Sequence, residues 1–297
     1  MNREISQIST GQLFCILLLS RISAEIVYPQ KMNSSFPESV AALLIAEALR
    51  FLIALPVIIY SRKGNNLHLS VWKKNRFIGW TGAIFGAILL IGASVKTMVH
   101  TADFSVKNLL TEGSAAVIFI IGLVFAVFCA FMGAEAFARA SLLFLVFASL
   151  ITVTVYLADI PFMEAVPLRE IRFSGLFSAT VSSFFRGGDY LIFTALLPFV
   201  NKKKPGSAMG AAVLFAVISA AVSVGICVCN ALVMRGVFAE YPFTAAASLS
   251  DIALFKRLDG IGAAVWSLCA LTRSGIMLFS AYAMARSISM RKKEENP

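Results

Sequence analysis

Charge is scarce in this chain. Only 14% of its 297 residues are Asp, Glu, Lys or Arg, where a soluble domain carries about 25%. Histidine occurs twice, at His68 and His100. Five cysteines (Cys15, Cys129, Cys227, Cys229 and Cys269) are scattered through apolar segments, without the paired spacing of a zinc site. No nucleophile–base pair, metal-ligand set or phosphate-cradling glycine loop can be assembled from this inventory. Enzymatic chemistry is therefore not expected, and neither is a cofactor. No polar stretch is long enough to form a soluble domain, so the net charge of +10 has no basic module to serve and nucleic-acid binding is excluded.

Apolar residues make up 59% of the chain, and the mean hydropathy is +0.83. They come in continuous runs rather than with the two-residue alternation of a membrane β-barrel. Continuous runs of about 20 residues are what a helix needs to cross a bilayer, since lipid offers the backbone no hydrogen-bond partners. The sequence predicts an all-α polytopic membrane protein with eight spans, near 8–27, 39–60, 77–99, 114–132, 139–157, 173–200, 208–234 and 260–285. The first run shows no small-residue cleavage pattern and is expected to be a retained span. The run 208–234, rich in Gly, Ala and Ser, is expected near the centre of the bundle, because small side chains allow close helix approach in lipid. Between the last two spans, EYPFTAAASLSDIALFKRLD is expected to hold a short helix at the outer interface.

Loop charge sets the expected orientation. With the N-terminus cytoplasmic, the inner segments hold Arg3, Arg62, Lys63, Lys73, Lys74, Arg76, Arg139, Lys202, Lys203, Lys204, Arg286, Arg291, Lys292 and Lys293. The outer ones hold Lys31, Lys107, Arg169, Arg172, Arg235, Lys256 and Arg257. That two-to-one bias predicts both termini on the cytoplasmic side of the membrane.

Ionisable residues inside spans are costly and each needs a reason. Arg21 and Glu25 lie in the first span, Glu47 and Arg50 in the second, Arg186 and Asp189 in the sixth, and Arg273 in the eighth. Lys96, near the outer end of the third span, can snorkel. Spacings of three or four residues would let the first three sets neutralise themselves on one helix face. Arg273 has no acid nearby in sequence, so Asp189 or Glu25 across the bundle, or an acid on another subunit, is its expected partner. The sixth span is longer than a crossing requires and carries Gly187 and Gly188 at its middle, which weakens the helix there. Ser20 and Ser23 flank Arg21 in the first span. Interrupted helices in corresponding positions point to a transporter binding site. Half-helix ends expose N–H groups for a carboxylate and carbonyls for a cation, and an amino acid carries both charges. The candidate ligand-binding residues are Ser20, Arg21, Ser23, Glu25, Gly187, Gly188, Asp189 and Arg273.

Four motifs add a resemblance. ISTGQLF (Ile8 to Phe14), GAEAFAR (Gly133 to Arg139), GGDYLIFTALLPFV (Gly187 to Val200) and FKRLDGIGAAVW (Phe255 to Trp266) follow one another along nearly the whole chain. In that order they resemble the spore germination receptor B-subunit permeases (the GerAB type), a branch of the amino acid–polyamine–organocation superfamily. The resemblance implies a single membrane domain with an inverted-repeat, LeuT-like permease fold. Residues 1–157 would form the first five-helix repeat, and 158–297 a second repeat of three helices that lacks the last two. It implies a small-molecule nutrient held between broken helices one and six in the spore inner membrane. The implied partners are a larger A-type membrane subunit and a C-type lipoprotein. The alternatives are an H⁺- or Na⁺-coupled amino acid transporter and a non-transporting structural membrane subunit.

Overall fold

The computed structural model describes residues 8–28, 35–62, 76–108, 113–165, 173–200, 207–235, 239–249 and 259–294. Among the described residues ten α-helices follow in order: α1 (Thr10–Val27), α2 (Phe36–Arg62), α3 (Arg76–Asn108), α4 (Ala115–Phe131), α5 (Ala134–Ala158), α6 (Phe173–Arg186), α7 (Asp189–Leu196), α8 (Ser207–Val233), α9 (Pro242–Leu249) and α10 (Asp259–Glu294). Short 3-10 turns, Ile160–Phe162 and Leu197–Phe199, close α5 and α7. Among the described residues the only β-type pairing is a single parallel bridge between Ile8 and Val200.

Among the described residues six helices are long and apolar enough to cross a membrane: α1, α2, α3, α5, α8 and α10. The protein is therefore a multi-pass α-helical membrane protein. Helix α4 is a shorter apolar helix of 17 residues, and the sixth expected span is two pieces of 14 and 8 residues. Apolar side chains face outward along these helices. Examples are Ile53, Phe85, Ile121, Phe128, Leu143 and Val217, each more than half exposed, which is the pattern of a surface solvated by lipid.

Helices α1 and α10 form the centre. Buried residues make up 61% of α1 and 67% of the apolar stretch of α10, against 28–33% for the other four long helices. Helix α10 packs along α3, α4 and α1, while α1 also touches α5, α7 and α8. The small-residue helix α8 is thus not central, contrary to its composition. It lays one face, with Ala212, Ser219, Ser223 and Asn230, against α1 and α2 and turns Leu214 and Val217 outward. Its small residues permit close approach on that single face, which does not require burial all round.

The motifs singled out in the sequence act as caps and packing devices here. Ser9 caps α1: its hydroxyl accepts from Gln12 N (3.1 Å), and Gln12 Oε1 accepts from Ser9 N (2.8 Å), a reciprocal capping box. Ile8 N donates to Phe199 O at 2.9 Å, so ISTGQ is tied to the end of LPFV. Gly133 precedes α5 with φ of 92°, a conformation that favours glycine, and the exposed pair Glu135–Arg139 spans the first turn that follows. Trp266 is fully buried, stacked on Phe104 at 3.8 Å between ring centroids and edge-on to Tyr241. Residues 255–258 of that motif lie outside the described residues.

The short helix expected before the last span is α9. Its Pro242, Phe243, Ala246 and Ala247 are buried against α10, α5 and α8. Just before it, Glu240 meets Lys107 of α3 (3.4 Å), and Lys107 also pairs with Asp103 (2.9 Å). Burial beside Asp103 and Glu240 pushes the Tyr241 phenol above its ordinary range.

A candidate solute site at the interrupted helix

The break expected at Gly187–Gly188 is present. Helix α6 stops at Arg186, Gly187 and Gly188 are non-helical, and α7 restarts at Asp189. Two residues that lower helix propensity fall together at the break, and at Gly187 close approach also demands the lack of a side chain. A Cβ on Gly187 would stand 2.6 Å from Arg50 Cζ, and one on Gly188 would stand 3.2 Å from the Met277 methyl.

The break expected in the first span is absent. Helix α1 runs unbroken from Thr10 to Val27. Ser20 and Ser23 stay helical, and the i,i+4 pair Arg21–Glu25 (3.2 Å) spans one turn of that helix. The Ser20 hydroxyl reaches across the bundle and donates to Asp189 Oδ1 at 2.6 Å. Ser23 is buried beside the Cys269 thiol of α10.

Both half-helix ends at the break meet a complementary charge. The C-terminal carbonyls of α6 would repel a carboxylate and attract a cation. Arg50 of α2 donates to Ser183 O and to Phe184 O (3.3 Å), and Arg273 Nη2 of α10 donates to Arg186 O at 2.6 Å. At the positive N-terminal end of α7 sits a carboxylate, Asp189. Two arginines from different helices therefore cap one side of the gap, and an acid occupies the other.

Arg21 is the hub between these groups. Its side chain is completely buried. Nη2 lies 3.2 Å from Glu25 and 3.5 Å from Glu47, and Nη1 lies 3.6 Å from Asp189 Oδ2. Nε donates to Ser223 Oγ of α8 at 2.7 Å. Neither terminal nitrogen makes an aligned hydrogen bond, so three carboxylates hold this guanidinium by charge rather than by directional contact. Glu47 also pairs with Arg50 and accepts from the Tyr190 hydroxyl at 3.2 Å. Arg273 Nη1 lies 3.5 Å from Asp189 Oδ1 and donates to the Ser20 backbone and hydroxyl oxygens. Arg273 thus finds its partners within the chain.

Seven of the eight sequence candidates lie in or at this cluster, on α1, the break, α7 and α10, while Ser23 faces the Cys269 thiol instead. Glu47 and Arg50 belong with them. Their signal, charge inside a span, was legible, but not their direction of reach. Ser223 and Tyr190 carried no signal, since a hydroxyl in a membrane helix is commonplace. Three buried carboxylates (Glu25, Glu47, Asp189) face three buried arginines (Arg21, Arg50, Arg273), with Arg186 at the end of α6 beside them. Mutual pairing is what makes such burial tolerable, because a lone ion in low dielectric costs several kcal/mol. Among the described residues no group of three or more His, Cys, Asp or Glu side chains is arranged to hold a metal ion.

A scan against protein-family models finds no match to this chain, and neither does a search of curated proteins.

Proposed function

We propose that this protein is the permease-like membrane subunit of a spore nutrient-germinant receptor, the B-subunit type that its motifs resemble. In this reading it has eight spans in an inverted-repeat permease fold shortened by its last two helices, with both termini cytoplasmic. A small nutrient, an amino acid by its pair of charges, binds at the α6–α7 break. Occupancy is passed to an A-type membrane subunit and a C-type lipoprotein in the spore inner membrane.

The observation that carries the reading is the interrupted helix inside the bundle, with Asp189 opening one half and Arg50 and Arg273 on the carbonyls of the other. Broken helices of this kind build solute sites because their free ends recognise charge without added side chains. An α-amino acid matches that arrangement, its ammonium group toward Asp189 and its carboxylate toward Arg273. It competes with the internal pairs, so binding and rearrangement of the cluster are one event. That coupling is what a sensor needs.

A panel of single amino acids, sugars and nucleosides, read by thermal shift on the purified protein and on the co-expressed complex, tests this. Stabilisation by one ligand, lost in Asp189→Asn, is the expected outcome. No shift for any ligand, even with partner subunits present, contradicts it.

The three carboxylates around Arg21 favour one second reading, transport coupled to H⁺ or Na⁺. Concentrative uptake in vesicles that collapses with an ionophore supports transport, and uptake that never exceeds equilibrium excludes it.

A further inference from the structure

The charges at the break do not balance. Four arginines gather there, Arg21, Arg50, Arg186 and Arg273, and three carboxylates face them, Glu25, Glu47 and Asp189. Among the described residues the other buried acids, Glu38 and Asp159, sit at helix ends, in the first turn of α2 and at the C-cap of α5. A guanidinium keeps its proton at neutral pH, so protonating an acid would only widen the difference. The cluster therefore carries at least one positive charge in excess. An unmatched ion in low dielectric is costly, and a bound anion is what offsets it.

The excess has a place. Arg21, Arg50 and Arg273 are buried, whereas Arg186, Gly187 and Gly188 are only partly so. Arg186 is within electrostatic reach of Glu25, Arg21, Tyr28 and Cys227, all of them buried. The space that its side chain opens onto is thus inside the bundle, beside the break. Arg273 is its neighbour, since Arg273 Nη2 donates to the Arg186 carbonyl at 2.6 Å. Arg273 Nε is buried without an acceptor, a donor that an incoming oxygen can use. Past the end of α1 the field stays positive: Arg273 Cζ lies 5.5 Å and Lys96 Nζ 5.4 Å from the centre of the Tyr28 ring, whose face attracts both.

We propose that the break is an anion site, taking a carboxylate solute with one net negative charge, and that Arg186 sets this preference. Within the receptor reading, on which the identity of the solute as an amino acid rests, the solute is an acidic amino acid. Its ammonium group faces Asp189, one carboxylate faces Arg273 and the second faces Arg186. A neutral amino acid brings equal charges of both signs and leaves the excess in place.

The whole chain is titrated at about pH 7, where both side-chain acids are ionised, with L-glutamate, L-aspartate, L-glutamine, L-asparagine and acetate at fixed ionic strength, read by thermal shift. An acid and its amide differ in charge and little in shape, so the ratio of their affinities reads the excess charge. One acid is expected to bind about tenfold or more tightly than its amide. Arg186→Gln should erase that preference, and Arg186→Lys, which keeps the charge, should retain most of it. A purely structural role for Arg186 would weaken acid and amide alike, and an unchanged preference in Arg186→Gln would overturn its assignment. The wild-type ratio decides the matter even where Arg186→Gln does not fold. An amide that binds as tightly as its acid leaves the receptor reading standing and overturns the anion site. Acetate that stabilises the protein when no amino acid does keeps the anion site and removes the receptor reading. No stabilisation by any of these solutes overturns the anion site, while another neutral amino acid that binds would still carry the receptor reading.

Discussion

Gly187 and Gly188 are adjacent, yet their neighbours differ in kind. A methyl group at 187 would meet the Arg50 guanidinium, with atoms at 2.6, 2.7 and 2.9 Å. That group is pinned by Glu47 and two carbonyls of α6 and has nowhere to go. A methyl group at 188 would meet only the flexible end of Met277 at 3.2 Å. We therefore expect Gly187→Ala to cost about 3 kcal/mol, the upper range for overpacking, and Gly188→Ala less than about 1 kcal/mol. Denaturant unfolding of the two variants in detergent makes the comparison, and equal losses would mean that Arg50 is not seated at the break. At this scale the sequence was informative about presence and weak about direction. Charge inside a span marked Arg21, Glu47, Arg50, Asp189 and Arg273 as special. It did not reveal that Arg50 reaches past its own helix to the carbonyls of α6.

Elements were legible where a local rule dominated. The two glycines predicted the α6–α7 break, whereas the capping box that Ser9 and Gln12 close at the start of α1 was not read from the ISTGQLF motif. Replacing Ser9 by Ala leaves the Gln12 amide without its partner and should cost about 1 kcal/mol, measured by the same unfolding experiment. Stability unchanged within about 0.3 kcal/mol would show that the bridge from Ile8 to Val200 alone sets the start of the helix. Elements were misread where tertiary contacts decided. Ser20 weakens an isolated helix, yet its hydroxyl is bonded to Asp189 and α1 continues through it. The composition of α8 suggested a central helix, whereas its small residues are used on one face only.

Across the whole molecule, side chains from five helices meet at one buried point: charges from α1, α2, α7 and α10, and from α8 the Ser223 hydroxyl that accepts from Arg21. No sequence rule pairs residues that lie 169 or 253 positions apart, as Ser20 does with Asp189 and Arg273. That convergence depends on which helices become neighbours. It also explains how a chain so poor in charge can keep ionised groups in its interior, since the pairs within α1 (Arg21–Glu25) and α2 (Glu47–Arg50) are joined to one another by pairs between helices, Arg21 with Glu47 and Asp189 and Arg273 with Asp189. The centre of the bundle and the proposed site are accordingly the same place, so a solute bound there, as proposed, would act on the contacts that hold the fold together.

The most direct test of this account is a double-mutant cycle between Asp189 and Arg273 in the reconstituted protein. Asp189→Asn removes the one acid that faces Arg273, and Arg273→Leu leaves Asp189 with Arg21 and Ser20 alone, so each is expected to cost about 3 kcal/mol. The double variant removes both charges and should cost less than the sum, with a coupling of about 1–3 kcal/mol. Strictly additive losses would mean that α7 and α10 do not meet at the break, and the site described here would not exist.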